Sequence, residues 1–430
     1  MGDTPLRKAQ NPNPLPLLTC DMRLLYTFSI RLYNAAIAIA SLFNEKARLL
    51  HRGRKSTLSI LKEKCKGKNI LWLHAASLGE YEQGKPLIQK LKRRHPDATF
   101  LVTFFSPSGY EVKKNDADID IACYLPGDTP KQVRQFLDVV QPQMAFFVKY
   151  EYWYNFMKGL KDRNIPFYYL SAIFRPSQYF FKPYGRWFAR QLRNCTHFFV
   201  QNEESYQLLQ NIDIKNVTIT GDTRFDRVYA ISQQNERLDF MEAFKADKKL
   251  LVVGSSWQPD EQVVHQIYDF IKNDYKVVFA PHVISKEHIN FIKSLFSEEK
   301  MVCFSERTDQ NLAEYNLFVV DTIGLLSRIY KYADVAMVGG GFETGLHNTL
   351  EAAVFGIPVF FGPRYAKFNE AIELVRRKGG FSIQNAEEMR RIMDRFYSEP
   401  DFYQNTCQIC LEFVKENLGA CDKILAEIKD

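Results

Sequence analysis

Short apolar runs alternate with amphipathic stretches along most of the chain, and the series occurs twice. In the first half, runs over 70–75, 99–104, 119–124, 144–149, 166–171, 197–201 and 217–220 predict strands. Helical stretches lie between several of them, as at 84–94 and 131–140. The series restarts at 249–254, 276–281, 316–320, 334–339 and 357–361, again with helical periods in between. Strands buried on both faces carry continuous apolar runs, so each series predicts a parallel sheet covered by helices. The expected fold is α/β, with two doubly wound Rossmann-like domains facing a cleft. The polar, charged stretch 222–247 is the expected linker, and nothing repeats at a solenoid period.

Ahead of the first strand, residues 24–43 are apolar over about the length of a membrane span, interrupted by Arg31 and Asn34. A charge in mid-segment disfavours deep burial, although an arginine can reach the interface. Stretch 46–68 then carries nine Lys or Arg, with Glu45 and Glu63 the acids beside and within it, which favours anionic headgroups. The expected organisation is a polar, Pro-containing tail at 1–21, a membrane-associated helix in 22–45, and domains over 46–235 and 236–430. A helix packed on its own domain is the alternative for 24–43. No small-residue cleavage site follows, which argues against a removable signal peptide.

Composition narrows the class. A chain of 430 residues exceeds one ordinary core, and 46% hydrophobic with 25% charged residues excludes a disordered polymer. The high counts of Phe (34) and Tyr (22) suggest that some aromatics serve a wet or lipidic surface. A net charge of +7, modest and unevenly spread, goes with no nucleic-acid partner in this reading. The eight cysteines are scattered apart from Cys407 and Cys410, a usage that suggests a reducing compartment.

Candidate chemistry starts in Leu71-Trp-Leu-His-Ala-Ala-Ser-Leu-Gly-Glu80, where a strand breaks and delivers Glu80 at the mouth of the next helix. Ligands in open α/β sheets bind beyond the carboxyl ends of the strands, so Glu80 is a general base, a cap or a helix-start acid. In the second domain, Gly339-Gly-Gly-Phe-Glu-Thr-Gly-Leu-His-Asn-Thr-Leu-Glu351 ends a strand in glycines and opens a helix with Asn348, Thr349, Leu350 and Glu351. Glycines admit close backbone approach and a helix N-terminus offers free N–H groups to a phosphate; the alternative is a capping box of Asn348 and Glu351. Gly254-Ser255-Ser256, Pro281-His282 and Ile323-Gly324-Leu325 end or follow strands of the same domain and are candidate donor loops. In the first domain Glu151 lies among aromatics in 149–155, as an acid with a raised pKa or as a solvated one. Arg224, in Gly221-Asp-Thr-Arg-Phe-Asp226, is a cation for a departing phosphate or a surface arginine paired with Asp222 or Asp226. Asp116-Ala-Asp118 precedes a strand and reads as a solvated loop, not a metal site. The histidines are dispersed and no HExxH, P-loop or G-x-S-x-G occurs, so no metal or cofactor is expected.

Two such domains suggest, by fold analogy, a nucleotide-sugar enzyme of the glycosyltransferase B type. The chain also resembles the 3-deoxy-D-manno-octulosonic acid (Kdo) transferases over nearly its whole length. The resemblance rests on H-A-A-S-L-G-E at 74–80, Y-L-P-G-D at 124–128, G-x-x-x-F-D at 221–226, D-T-I-G at 321–324 and G-L-H-N-T-L-E at 345–351. It implies an inverting, metal-independent glycosyltransferase that uses CMP-Kdo as co-substrate and the lipid A precursor (lipid IVA) as acceptor in lipopolysaccharide core synthesis. Carried over, Glu80 is the base toward a primary hydroxyl, and Glu151 and Arg224 stabilise the transition state. Pro281-His282, Ile323 to Leu325 and Asn348 to Glu351 then match the CMP-contacting loops, beside the candidate phosphate loop Gly254 to Ser256.

The sequence departs from the family pattern in four places. The family often has arginine at position 282, glutamate at 325, lysine at 224 and an acid at 149, where this chain has His282, Leu325, Arg224 and Lys149. The resemblance makes 46–235 the acceptor domain and 236–430 the donor domain. It also implies docking on the cytoplasmic face of a bacterial inner membrane through 24–43 and 46–68. Rival readings are a soluble UDP-sugar epimerase or transferase of the same fold, and an inactive membrane adaptor.

Overall fold

A computed structural model describes residues 16–234, 236–308, 311–343 and 345–428, and the chain divides into two compact units. The first comprises residues up to Thr223 together with those from Gly419 onward, and the second runs from Arg224 to Leu418.

In the first unit, helix α1 (Pro16–Ala40) and helix α2 (Glu45–Lys64) precede a seven-stranded sheet. Its strands are β1 (Ile70–Ala75), β2 (Thr99–Phe104), β3 (Ile121–Tyr124), β4 (Met144–Val148), β5 (Phe167–Ala172), β6 (His197–Val200) and β7 (Val217–Ile219). They pair in the order β3-β2-β1-β4-β5-β6-β7, all parallel. Side chains alternate across a strand, and here both directions are buried. Trp72, Ala145 and Phe147 enter one apolar cluster, while Leu71, Leu73, Phe146 and Val148 enter another on the opposite face. The continuous apolar runs are the sequence signature of that two-sided burial.

The second unit repeats the plan with β8 (Lys249–Ser256), β9 (Tyr275–Pro281), β10 (Met301–Cys303), β11 (Leu317–Val319), β12 (Val335–Val338), β13 (Val359–Phe361) and β14 (Gly380–Ser382). Their order is β10-β11-β9-β8-β12-β13-β14, again parallel throughout. In each sheet the winding reverses beside the first strand, between β1 and β4 and between β8 and β12. Doubly wound sheets bind ligands beyond the carboxyl ends of the strands at that switch point.

Several sequence expectations are corrected. The stretch 222–247 is not an extended linker. It holds helices Thr223–Ser232 and Asp239–Lys245, whose Phe225, Val228, Met241 and Phe244 are buried in the second unit's core. The units divide at 223/224 rather than 235/236, and the C-terminal helix Ala420–Glu427 returns to the first unit, burying Cys421, Ile424 and Ile428 there. Strands β10 and β14 were not anticipated. The segment expected at 22–45 lies mostly in α1, with Leu24, Leu25, Phe28, Leu32 and Ile39 exposed, and Leu42 and Phe43 exposed just beyond it. Among the described residues no single helix is long and apolar enough to cross a membrane; the bent pair Met22–Ala40 and Glu45–Lys64, at 120°, passes that test only together. The tail expected at 1–21 lies mostly outside the described residues.

Candidate functional site

The first unit places two carboxylates at its switch point. Strand β1 ends at Ala75, and Ser77 in extended conformation opens helix α3 (Leu78–Arg94), so Glu80 stands in the first turn. Its carboxylate folds back onto the loop and accepts the Ala76 N–H at Oε2, 2.5 Å away. Glu80 is half-buried. Burial and the neighbouring charge of Glu151 push its pKa up to about 7, against the backbone bonds from Ala76 and Ser77 and the charge of Lys149, which pull it down. A carboxyl that titrates near neutrality is poised to take a proton from a hydroxyl.

Glu151 follows the adjacent strand β4, where Lys149 takes a left-handed turn (φ 58°). Its Oε2 lies 3.0 Å from His74 Nε2 and accepts the Trp153 indole N–H at 2.8 Å. His74 is fully buried, with Nδ1 2.9 Å from the Thr103 hydroxyl, which itself accepts from Trp72 Nε1 at 2.8 Å. His74 was not singled out from sequence, although it sits in H-A-A-S-L-G-E. The signal was a lone polar residue in an otherwise apolar strand.

In the second unit the expected donor loops gather at the ends of β8, β9 and β12. Strand β8 pairs with β12 through Gly254 and Val338, and the Gly339 N–H bonds to the Gly254 carbonyl at 2.9 Å. Gly254 is required by space: a Cβ there would stand 1.9 Å from the Tyr330 hydroxyl oxygen. Ser255 adopts φ 51°, a left-handed turn that is uncommon outside glycine and is held by its surroundings. Ser256 Oγ donates to the buried Glu261 at 2.6 Å, and Glu261 also bonds His288 Nε2 at 2.9 Å. Asp260 Oδ2 accepts both Trp257 N–H (2.9 Å) and Gly340 N–H (3.0 Å), tying the loop after β8 to the glycine loop after β12. Burial lifts Asp260 to about 6 against those two donors. Neither Asp260 nor Glu261 was singled out from sequence, because acids in a first helical turn read as dipole partners.

Three rings stack over these loops. His282, just after β9, lies 5.0 Å from Trp257 and 4.3 Å from His347, and Trp257 Nε1 donates to His347 Nε2 at 3.3 Å. Burial, then the charge of His282, lower the His347 pKa to about 4, and burial lowers His282 as well, so both imidazoles are neutral at pH 7.

The predicted helix after the glycine loop is short, Leu350–Ala353. Asn348 Nδ2 donates to Glu351 Oε1 at 3.1 Å, and Asn348 Oδ1 accepts the Leu350 N–H at 3.3 Å. Leu350, Thr349 and Pro281 are buried, and the Thr349 hydroxyl has no hydrogen-bond partner among the described residues. Ile323 and Gly324 are exposed after β11, and Leu325 is half-buried at the start of helix Leu326–Ile329.

Arg224 has a partner that its local sequence did not suggest. It makes a two-pronged ion pair with Glu370, Nη1–Oε1 2.8 Å and Nη2–Oε2 3.1 Å, and Glu370 is buried. Asp222 accepts from Gln83 at 2.5 Å. Asp116 and Asp118 contact Lys85 at 2.8 and 3.2 Å, a loop neutralised by lysine.

Residues 46–227 match the family described as 3-deoxy-D-manno-octulosonic-acid transferase (kdotransferase). The chain is 24% identical over 388 residues to the 3-deoxy-D-manno-octulosonic acid transferase of Rickettsia conorii, spanning 87% of this chain and 82% of that one. It is 28% identical over 331 residues to the protein of the same description from Aquifex aeolicus, spanning 76% and 84%. Its fold is similar to that of a UDP-GlcNAc 2-epimerase from Neisseria meningitidis bound to UDP-GlcNAc. That match has a TM-score of 0.60 at 13% identity and covers 83% of this chain and 98% of the other.

Proposed function

We propose that the chain is a Kdo transferase, on the match of residues 46–227 to that family and on the relatives above, and on that premise we assign the reaction and the residues that carry it. The protein transfers Kdo in lipopolysaccharide synthesis, from CMP-Kdo to a primary hydroxyl of the lipid A precursor, by direct displacement. Glu80 takes the hydroxyl proton as the oxygen attacks the anomeric carbon. The bond from that carbon to the CMP phosphate breaks, and CMP leaves with the electron pair. The observation that carries this reading is Glu80 itself, a half-buried carboxyl at the switch point beside β1 whose pKa is raised to about 7. A positioned base is worth ~10²–10⁴-fold in rate.

Glu151 supports it as a fixed negative neighbour, held by His74 and Trp153, that keeps Glu80 basic. In the second unit, the loops at 254–256, 281–282, 323–325 and 348–351 bind the donor. The backbone of the strained Ser255 turn and the Asn348–Glu351 pair serve phosphate and ribose. Arg224, aimed by Glu370, meets the departing phosphate. His282 and His347, neutral and stacked on Trp257, offer rings and a hydrogen bond instead of a second cation. No cofactor or metal takes part in this scheme.

The acceptor is amphiphilic and phosphorylated. The exposed apolar residues of α1 and the lysines and arginines of α2 dock the protein on an anionic lipid surface, the cytoplasmic face of the inner membrane. The test incubates the purified protein with CMP-Kdo and tetra-acylated lipid A precursor in chelator, with mass spectrometry of the lipid. Kdo-sized increments that vanish in Glu80→Ala support the scheme. No increment from folded wild-type protein overturns it.

A further inference from the structure

Helix α1 carries the exposed apolar face, yet three connections run from it into the first unit near Glu151. The first starts at Tyr26, whose hydroxyl donates to Asp128 Oδ2 at 2.7 Å. The same oxygen accepts the Asn155 N–H at 3.0 Å, Oδ1 accepts the Phe156 N–H at 2.9 Å, and Asn155 Nδ2 donates to the Asp128 carbonyl at 2.6 Å. Helix Tyr154–Asp162 has no side-chain cap of its own from Trp153, so the buried Asp128 caps it from a distant loop. The second starts at Asn34, which accepts from Arg54 Nη1 at 3.1 Å while Arg54 Nε donates to the Leu125 carbonyl at 3.0 Å. A Cβ on Gly127 would lie 2.4 Å from Asn34 Nδ2, so helix and loop touch there. The third is a ring ladder. Tyr33 stacks on Phe105 (6.2 Å, 14°) and Phe105 on Trp153 (5.4 Å, 25°), whose indole N–H holds Glu151. Phe105 stacks with both Tyr33 and Trp153 and has the Arg54 guanidinium 5.0 Å from its centroid, which makes the ladder a brace rather than a shelf for a sugar.

The ladder and the Asp128 cap both end on 151–156, the segment that carries Glu151 and opens the next helix. We infer that Tyr26 and Asp128 are positioning residues, through which the seating of α1 sets the place of Glu151. The cap at Asn155 and Phe156 lies four and five residues beyond Glu151. A helix start released from its cap frays first at its entry, which is where Glu151 and Trp153 stand. The consequence for the reaction rests on the reading of Glu80 as base, because Glu151 acts by its charge on Glu80. The motif Y-L-P-G-D at 124–128 thereby acquires a role: Asp128 ties α1 to the active loop.

Tyr26→Phe removes one hydroxyl and keeps the ring in its cluster with Tyr154, Trp187 and Phe188. The full-length variant is compared with wild type for kcat, both KM values and the pH dependence of kcat, using CMP-Kdo and the lipid A precursor in phosphatidylethanolamine–phosphatidylglycerol vesicles. The expected result is a kcat about 10-fold lower, an unchanged KM for CMP-Kdo, and an acid limb moved to lower pH. Glu80 then feels Glu151 less, while Lys149, which also acts on Glu80, and His74, which binds Glu151, are left in place. Wild-type kcat and an unmoved limb, or a lower melting temperature alone, would overturn the inference. If the wild type transfers no Kdo, the proposed reaction fails on its own. Hydrogen exchange then decides the lock: faster exchange at 154–157 in Tyr26→Phe supports it, and unchanged exchange overturns it.

Discussion

His74 Nε2 and Glu151 Oε2 stand 3.0 Å apart at the ends of neighbouring strands, one side chain fully buried and the other 12% exposed. An ionised carboxylate only accepts, so Nε2 carries the proton and the imidazole fixes the acid in place. Glu151→Gln keeps an acceptor for His74 and Trp153 but deletes the charge that helps hold Glu80 near 7. The acid limb of the kcat profile should move toward the ordinary carboxyl range, with kcat lower by about 10-fold. A pH–rate series on the variant measures both, and an unmoved limb would show that burial alone sets Glu80.

Glu80→Gln separates catalysis from folding. If Glu80 is the base, as proposed, its loss should cost ~10²–10⁴-fold in kcat. The folded pKa of Glu80, about 7, lies above the ordinary glutamate value of 4.5, so its linked stability is full below 4.5 and is lost as pH rises through 7. Gln carries no such loss and can still accept the Ala76 N–H. Its unfolding free energy should therefore exceed that of wild type at pH 8, by on the order of 1 kcal/mol, and match it at pH 4. Calorimetry at the two pH values reads the difference.

Arg224 and Glu370 test a pair that is both structural and functional in this scheme. Arg224→Ala leaves a buried carboxylate without its bidentate partner and should destabilise the second unit by about 2–3 kcal/mol. Glu370→Gln retains one acceptor and should cost less stability while misaiming the guanidinium, raising the KM for CMP-Kdo. Urea melts beside donor titrations separate the two effects. A donor KM equal to wild type in both variants would remove Arg224 from the proposed phosphate site.

Gly254→Ala places a methyl on the Tyr330 hydroxyl, 1.9 Å from where the Cβ would be, inside a packed layer. Displacing that buried ring should cost about 1–3 kcal/mol and disturb the adjoining Ser255 turn. Weaker CMP binding by calorimetry, with the acid limb set by Glu80 unmoved, is the expected pattern.

Phe28→Asp and Leu32→Asp alter exposed positions on α1 and should leave the melting temperature unchanged. Sedimentation with phosphatidylglycerol vesicles should fall by about 10-fold or more for the pair. Undiminished sedimentation would move lipid docking away from this face.

Much of the architecture could be read from the chain because two-sided burial leaves an unmistakable trace. Leu71 through Ala75 and Leu250 through Val253 are apolar or fully buried at every position, and runs of that length and composition fit a covered strand. Strands β10 and β14, Met-Val-Cys and Gly-Phe-Ser, hid because each holds a single β-branched or aromatic residue, whereas the equally short edge strand β7 reads Val-Thr-Ile. Helices Thr223–Ser232 and Asp239–Lys245 hid behind their polar faces, since Phe225, Val228, Met241 and Phe244, with Tyr229 and Phe240 at the margin, make the core contact. At the site, Glu80, Glu151 and Asn348 with Glu351 were visible as acids and amides at strand ends. The partners that define their chemistry were not. His74 sits within a strand, Glu370 lies 146 positions from Arg224, and Asp128 meets Tyr26 across 102. Contacts of that separation are made by the winding of the sheet and have no local sequence signal.

Helix Ala420–Glu427 fills a gap in the first unit with Cys421, Ile424 and Ile428, and Arg94 donates to the Leu425 and Ile428 carbonyls at 2.9 and 3.2 Å. During synthesis, the first unit therefore leaves the ribosome with its core unfinished and stays so until all of 224–418 has been made. The half of the molecule translated first is completed last, and until then the apolar floor around Leu87, Ile88 and Leu91 needs shielding from other chains.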